Sequence, residues 1–332
     1  MRYFYALLSF IVIGAFTSCK QKTTQTADEA EKSGTVPTIK AADFNADTAY
    51  FFVNEQVKFG PRVPNSISQT KCANWLETTL KKYTPNVIVQ PFTAKAFDGT
   101  VLNCKNIIAS FNPKSATRVL LCSHWDSRPF ADNDPDSIYH RTPIDGANDG
   151  ASGVGILLEI ARQLKISPTT IGVDILLLDG EDYGAPQDAG YTGTDDWALG
   201  SQYWSRYPHV PSYSARYGIL LDMVGAENAV FTLEGTSMYY APDFAQRVWN
   251  MGATIGYSDY FSTERTNAIT DDHVYINQLR RIPTLDIIQH DQLTQSGFYQ
   301  NWHTIKDNMK GISKPTLMAV GQTILTVVRN EK

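Results

Sequence analysis

Apolar and polar positions along this chain fall into blocks that switch between two periods. Over residues 70–83, Cys72, Trp75, Leu76, Leu80 and Tyr83 recur at helical spacing, and Pro85 ends the run. Short β-branched runs follow at 87–90 and 106–111, then a stronger apolar one at 118–123. Residues 150–164 return to the helical period, with Val154, Leu157, Leu158, Ala161 and Leu164 on one face and Asp149 placed to cap the start. Three more apolar runs, 172–178, 217–222 and 283–288, lie between further helical stretches. Strands this continuously apolar have to be covered on both faces. The pattern therefore predicts an α/β three-layer sandwich whose twisted, mixed, mostly parallel central sheet is flanked by helices.

The N-terminal residues break this alternation. Arg2 precedes an apolar run over 6–16, shorter than the ~20 residues of a membrane-spanning helix and of the size expected for the core of an export signal. The run closes on Phe16-Thr17-Ser18-Cys19, which resembles the lipobox of bacterial lipoproteins, although Phe16 is an unusual first residue for it. The resemblance implies a signal peptide over 1–18 and lipid attachment at Cys19, hence an exported, envelope-anchored protein facing the periplasm. The alternative is an ordinary cleaved secretory peptide in which Cys19 has no role. Residues 20–37 are polar and carry no large apolar side chain, so 19–43 reads as a flexible tether and 44–332 as a single catalytic domain.

Composition narrows the chemistry. Charged residues make up 19% and the hydrophobic class 42%, which excludes disorder or coiled coil as the main architecture. With 29 basic against 34 acidic side chains the chain has no basic field for nucleic acid. Tyr 17, Phe 15 and Trp 6 stand against only 6 His and 4 Cys, so candidates for a metal or nucleophile site are few. Setting Cys19 aside, Cys72, Cys104 and Cys122 are odd in number and sit in apolar patterns, where they read as small buried hydrophobes with at most one bridge among them.

In open α/β sheets functional groups gather at the carboxyl ends of the strands. Those ends are followed here by His124 and Asp126, by Asp149 at a helix start, by Asp179, Glu181 and Asp182, by Asp222, and by Trp302, His303 and Asp307. Imidazoles converging with carboxylates form a ligand mixture that zinc accepts. His140, His209 and His290 lack a strand-end carboxylate beside them and read as polar-network residues. The start of a calcium loop at Asp132–Asp136 is rejected, because its sixth position is Ser137 and its twelfth Pro143.

Seven stretches in order carry a wider resemblance: 60–66 (Gly-Pro-Arg-Val-Pro-Asn-Ser), 123–128 (Ser-His-Trp-Asp-Ser-Arg), 145–153 (Asp-Gly-Ala-Asn-Asp-Gly-Ala-Ser-Gly), 178–182 (Leu-Asp-Gly-Glu-Asp), 220–226 (Leu-Leu-Asp-Met-Val-Gly-Ala), 271–273 (Asp-Asp-His) and 302–308 (Trp-His-Thr-Ile-Lys-Asp-Asn). From about Phe44 to the C-terminus the chain resembles the zinc-dependent glutaminyl-peptide cyclotransferases of animal type, which also occur in bacteria and share a fold with the zinc aminopeptidases. The resemblance implies one catalytic zinc held by Asp149, Asp182 and His303, with Glu181 as proton carrier. It also implies an acidic network of Asp222 and Asp272 near the substrate amine, and pocket walls from Trp302 and Phe298. Two departures stand out: Asp182 replaces the Glu of the animal enzymes, and the tryptophan that follows the acid pair there has no clear counterpart, with Trp197 the residue available to substitute.

The implied reaction closes the N-terminal Gln of a peptide or protein to pyroglutamate and releases ammonia. Its needs match the residue types: a Lewis acid at the γ-carbonyl and a carboxylate that takes a proton from the α-amine and returns it to the leaving nitrogen. A zinc aminopeptidase is the rival reading, with His124 and Asp222 completing a second metal site that shares Asp149, and Glu181 activating water. A binding domain without catalysis is the third, and it gives no reason to keep the ligands.

Overall fold

The computed structural model describes residues 41–193 and 195–332, which fall in one compact unit. The signal peptide, Cys19 and nearly all of the tether lie outside the described residues. The described residues open with α1 (Ala46–Val57), capped where the Asn45 side chain accepts the Thr48 N–H. Next comes α2 (Ile67–Lys81), which begins earlier than the predicted 70–83 because Ser66 accepts the Gln69 N–H and starts the helix there.

Strands β1 (Val87–Lys95) and β2 (Val101–Phe111) pair antiparallel, followed by β3 (Arg118–His124), α3 (Ala151–Ile166), β4 (Gly172–Leu178), α4 (Leu199–Arg206) and β5 (Gly218–Asp222). The remainder contains β6 (Phe231–Leu233), α5 (Gly235–Tyr240), α6 (Pro242–Thr254), β7 (Phe261–Arg265), α7 (Asp272–Tyr275), β8 (Thr284–Ile288) and α8 (Lys314–Asn330). The main sheet runs β1-β2-β4-β3-β5-β8, parallel across its last four strands, and β6 and β7 form a small separate pair. This is the predicted three-layer, mostly parallel architecture.

Alternation within the apolar strands builds the two outer layers. Val119 and Leu121 of β3 and Val173, Ile175 and Leu177 of β4 face a core closed by residues of α1, α3 and α8. Leu120, Cys122, Leu176 and Leu178 face the opposite way onto Trp204, Tyr213 and Ile276. Asp174 interrupts this second face but is fully satisfied, taking both forks of Arg118 at 2.7 Å, the Tyr213 hydroxyl at 2.9 Å and Ser110 at 2.6 Å. Cys72, Cys104 and Cys122 are buried and free.

One local expectation is corrected. Asp149 does not cap α3: Gly150 occupies that position at φ 93° and makes no side-chain cap. A Cβ at Gly150 would lie 2.6 Å from the Asp126 carbonyl oxygen and 3.0 Å from the His124 ring, so the turn needs glycine, and Asp149 is left free to point elsewhere.

Candidate active site

The parallel strands end on one edge, and the expected site residues collect there. His124 closes β3, fully buried, with Nε2 3.0 Å from Asp149 Oδ1 and 3.1 Å from Asp222 Oδ1 at the end of β5. Glu181 and Asp182 follow β4, their N–H groups donating to the Asp126 carboxylate at 3.1 and 3.2 Å. Asp307 does the same for the other arm, accepting the N–H of Asn148 at 2.8 Å and of Asp149 at 3.0 Å. Two carboxylates that do not line the reaction cavity thus aim the backbones carrying three that do.

Asp149, Asp182 and His303 converge as one group, every ligating atom within 4.8 Å of the others. His303 Nε2 lies 3.2 Å from Asp182 Oδ1 and 3.5 Å from Asp149 Oδ2. Asp149 Oδ2 and both oxygens of Asp182 are buried without a hydrogen-bond partner. Orphaned carboxylate oxygens are costly unless a cation meets them, and two carboxylates with one imidazole form a donor set that suits a divalent ion with a position left for chemistry. Burial holds the His303 imidazole down to about 4, helped by Arg128, so it stays neutral and able to ligate. Burial pushes Asp182 up to about 8 against the pull of Arg128, a charge deficit that a metal ion would supply.

His303 itself is held on every side. Its φ of 54° is left-handed and strained for a non-glycine residue. The ring stacks with Trp302, at a centroid distance of 3.8 Å, and with Trp197, at 5.9 Å. Its Nδ1 faces Asp132 Oδ1 at 3.5 Å, and Arg128 fixes Asp132 with two bonds of 2.6 and 2.7 Å. Arg128 also donates to the carbonyl oxygens of Asp182 and Gly184 and lies 4.6 Å over the Trp197 ring. One buried arginine therefore braces two ligand-bearing segments and an aromatic wall.

The group opens into a cavity of about 350 Å³ whose walls include Glu181, Asp222, Asp271, Ile269, Phe298 and Trp302, with Trp197 at its side. Phe298 and Trp302 contact each other at 4.9 Å between ring centroids. Burial raises the Glu181 carboxyl well above its ordinary range, with His124 opposing and Asp271, Asp182 and Asp272 adding to the rise. A carboxyl so raised exchanges a proton near neutral pH more readily than an exposed one.

The structure revises one expected member of the acidic network. Asp272 is completely buried and does not line the cavity; Asp271 does. Asp271 sits in extended backbone ahead of α7, its side chain accepting the Asp272 N–H, whereas Asp272 is the first helical residue and turns beneath the helix toward Ser201. Burial and the neighbouring Asp222 raise the Asp271 carboxyl to about 6. Under the cavity floor Asp271 meets His273 and Asp286, and His273 Nε2 lies 3.2 Å from Glu234 Oε1. Asp286, Glu234 and Ile269 carried no signal at the ends of long apolar runs, whereas Arg128 and Asp307 lay inside the recognised stretches without a role. His140 pairs with the Asp134 carbonyl oxygen and His209 with Trp204, and neither belongs to a three-donor group among the described residues.

Peptidase family M28 matches residues 106–328. The glutaminyl-peptide cyclotransferase of Gloydius blomhoffii is 28% identical over 277 residues, spanning 74% of this chain and 67% of that protein. Bacteroides thetaiotaomicron glutaminyl cyclase, solved bound to N-acetylhistamine, superposes with a TM-score of 0.85 at 52% identity, over 88% of this chain and all of the other. A Zn-dependent exopeptidase from Parabacteroides distasonis gives 0.87 at 49% identity, also over 88% of this chain and all of the other.

Proposed function

Because the chain belongs to peptidase family M28, with half-identical glutaminyl cyclase structures among its neighbours, we propose that it converts the N-terminal glutamine of peptides and proteins to pyroglutamate and releases ammonia. The observation that carries this reading over the peptidase one is which carboxylate oxygens of the two candidate three-donor groups are buried without a partner. In the His124, Asp149 and Asp222 group, His124 Nε2 lies at hydrogen-bond distance from Asp149 Oδ1 and Asp222 Oδ1, whereas Asp149 Oδ2 and both Asp182 oxygens, beside His303, have no hydrogen-bond partner. One zinc per chain is the stoichiometry this favours. Held by those three residues, a zinc ion would supply Lewis-acid polarisation of the γ-amide carbonyl.

The chain's own residues supply the rest. The substrate α-amine, with an ordinary pKa of about 7.7–8.0, has to shed a proton before its nitrogen can attack the carbonyl carbon of the γ-carboxamide. Glu181 takes a second proton from that nitrogen as it bonds to the carbonyl carbon and returns it to the amide nitrogen as the carbon–nitrogen bond breaks, leaving a neutral lactam and free ammonia. Asp222 and Asp271, side by side on the cavity wall, receive the amine by hydrogen bonding and orient it. Phe298, Trp302 and Ile269 keep the pocket dry, so that water does not attack the same carbon and yield glutamate.

The test offers a Gln-initiated and a Leu-initiated peptide to the metal-loaded protein. Ammonia release from the first without cleavage of the second supports the cyclase; free leucine released by a protein carrying two zinc ions would establish the peptidase instead. Glu181→Gln should retain the metal and lose turnover by about 100-fold or more. The envelope location and lipid at Cys19 are proposed from sequence: Cys19→Ser should release the protein from membranes, and labelling with a radioactive fatty acid that is unchanged in this variant would refute the assignment.

A further inference from the structure

Beside the reaction cavity lies a second, more polar cleft of about 560 Å³. Ala268, Ile269 and Phe298 line both, so they form a shared wall over which an elongated molecule seated by its first residue in the cavity can continue into the cleft. Arg265, Asn267, His290 and Thr294 also line the cleft. Arg265 is the exposed last residue of β7 and, among the described residues, has no ion pair. Its neighbour Glu264 is engaged by the Gln292 side chain and does not line the cleft. His290 adds a buried Nδ1 without a partner.

A third cleft, of about 440 Å³, flanks the reaction cavity and shares Thr294, Gln295 and Ser296 with the Arg265 cleft. It is lined by Asp132, Asp134 and His140 and meets the reaction cavity only at Trp302. The carboxylates of that third cleft are engaged, Asp132 by Arg128 and Asp134 by the N–H groups of Asp136 and Ile305, whereas Arg265 keeps its charge without an ion pair among the described residues.

We propose that the Arg265 cleft receives the residues following the N-terminal glutamine and selects peptides bearing an acidic side chain there. Arg265 pairs with that carboxylate, while Asn267 and Thr294 hydrogen-bond to the peptide backbone. The inference rests on the cyclase reading and deepens it by naming a substrate class. It is tested with Gln-Ala-amide and with tetrapeptide amides that carry Glu, Ala or Lys in turn at the second, third and fourth positions. At one position the Glu peptide should exceed the Lys peptide in kcat/KM by about two- to fivefold, the size of a partly exposed ion pair. Arg265→Gln should abolish that ratio, Arg265→Glu should invert it, and 0.5 M salt should shrink it. Equal kcat/KM at all positions, or a preference that survives in both variants, overturns the subsite while leaving the cyclase intact. Failure of Gln-Ala-amide to cyclise overturns the cyclase reading and this inference with it.

Discussion

Between Asp271 and Asp272, side-chain direction decides which carboxyl can meet a substrate amine. Asp271→Asn should lower kcat/KM by about 100-fold, because it removes an acceptor from the cavity wall. Asp272→Asn should leave most turnover and shift the unfolding midpoint instead, since that carboxyl is wholly enclosed; steady-state kinetics and thermal melts on the two variants separate the effects. Asp132 acts one step further from the reaction, through His303. Asp132→Asn should weaken metal retention about 10- to 100-fold, measured by competition with a chelator, and if retention is unchanged the Nδ1 contact at 3.5 Å has no orienting role. At this scale the sequence showed the residue types at the strand ends but not their directions. Asp271 and Asp272 are adjacent in the chain, and only the start of a helix between them tells them apart.

Elements carry a second set of consequences. Glu234 caps α5, accepting the N–H groups of Thr236 and Ser237, and faces His273. Burial alone would raise its carboxyl, but the His273 ring 3.2 Å away and the hydrogen bond from the Ser237 N–H hold it down to about 2. The folded value is depressed, so the stability it contributes is complete above the unfolded value near 4.5 and is lost as pH falls through about 2. That span corresponds to at most about 3 kcal/mol. Glu234→Gln should therefore be clearly less stable than the parent in urea at pH 7, with the gap narrowing from pH 5 to pH 3; a constant gap would mean the carboxylate charge is not what stabilises the cap. Elements with long apolar runs, such as β3 and β4, were legible almost to the residue. β1 was not: only its first four positions read as strand, because Pro91 and its polar neighbours look like a loop, and an edge strand tolerates what an interior one does not. The short β6 and β7 left no readable pattern because three- and five-residue strands carry too few alternations.

For the whole molecule, folding concentrates buried acids on one sheet edge. Asp149, Glu181, Asp182 and Asp222 all have carboxyls raised by burial, so the metal offsets a charge problem as well as serving chemistry. Chelation at pH 7 should lower the melting temperature, and one equivalent of zinc should restore it; an unchanged melt would show that the acids are accommodated without a cation. The layered architecture and the cluster of strand ends could be read from pattern and motif together. The supporting role of Asp126 and Asp307 could not, because their work is done through backbone N–H groups supplied by distant segments. The sheet's two margins bear on behaviour at high concentration. β8 is buried along its whole length, with Gln289 just beyond it bridged to Phe231. At the other margin Pro91 pairs inward with Lys105, so the position where it lacks an N–H faces away from the sheet. Neither margin offers an unbroken ladder to another copy, which protects the folded protein from strand-to-strand polymerisation.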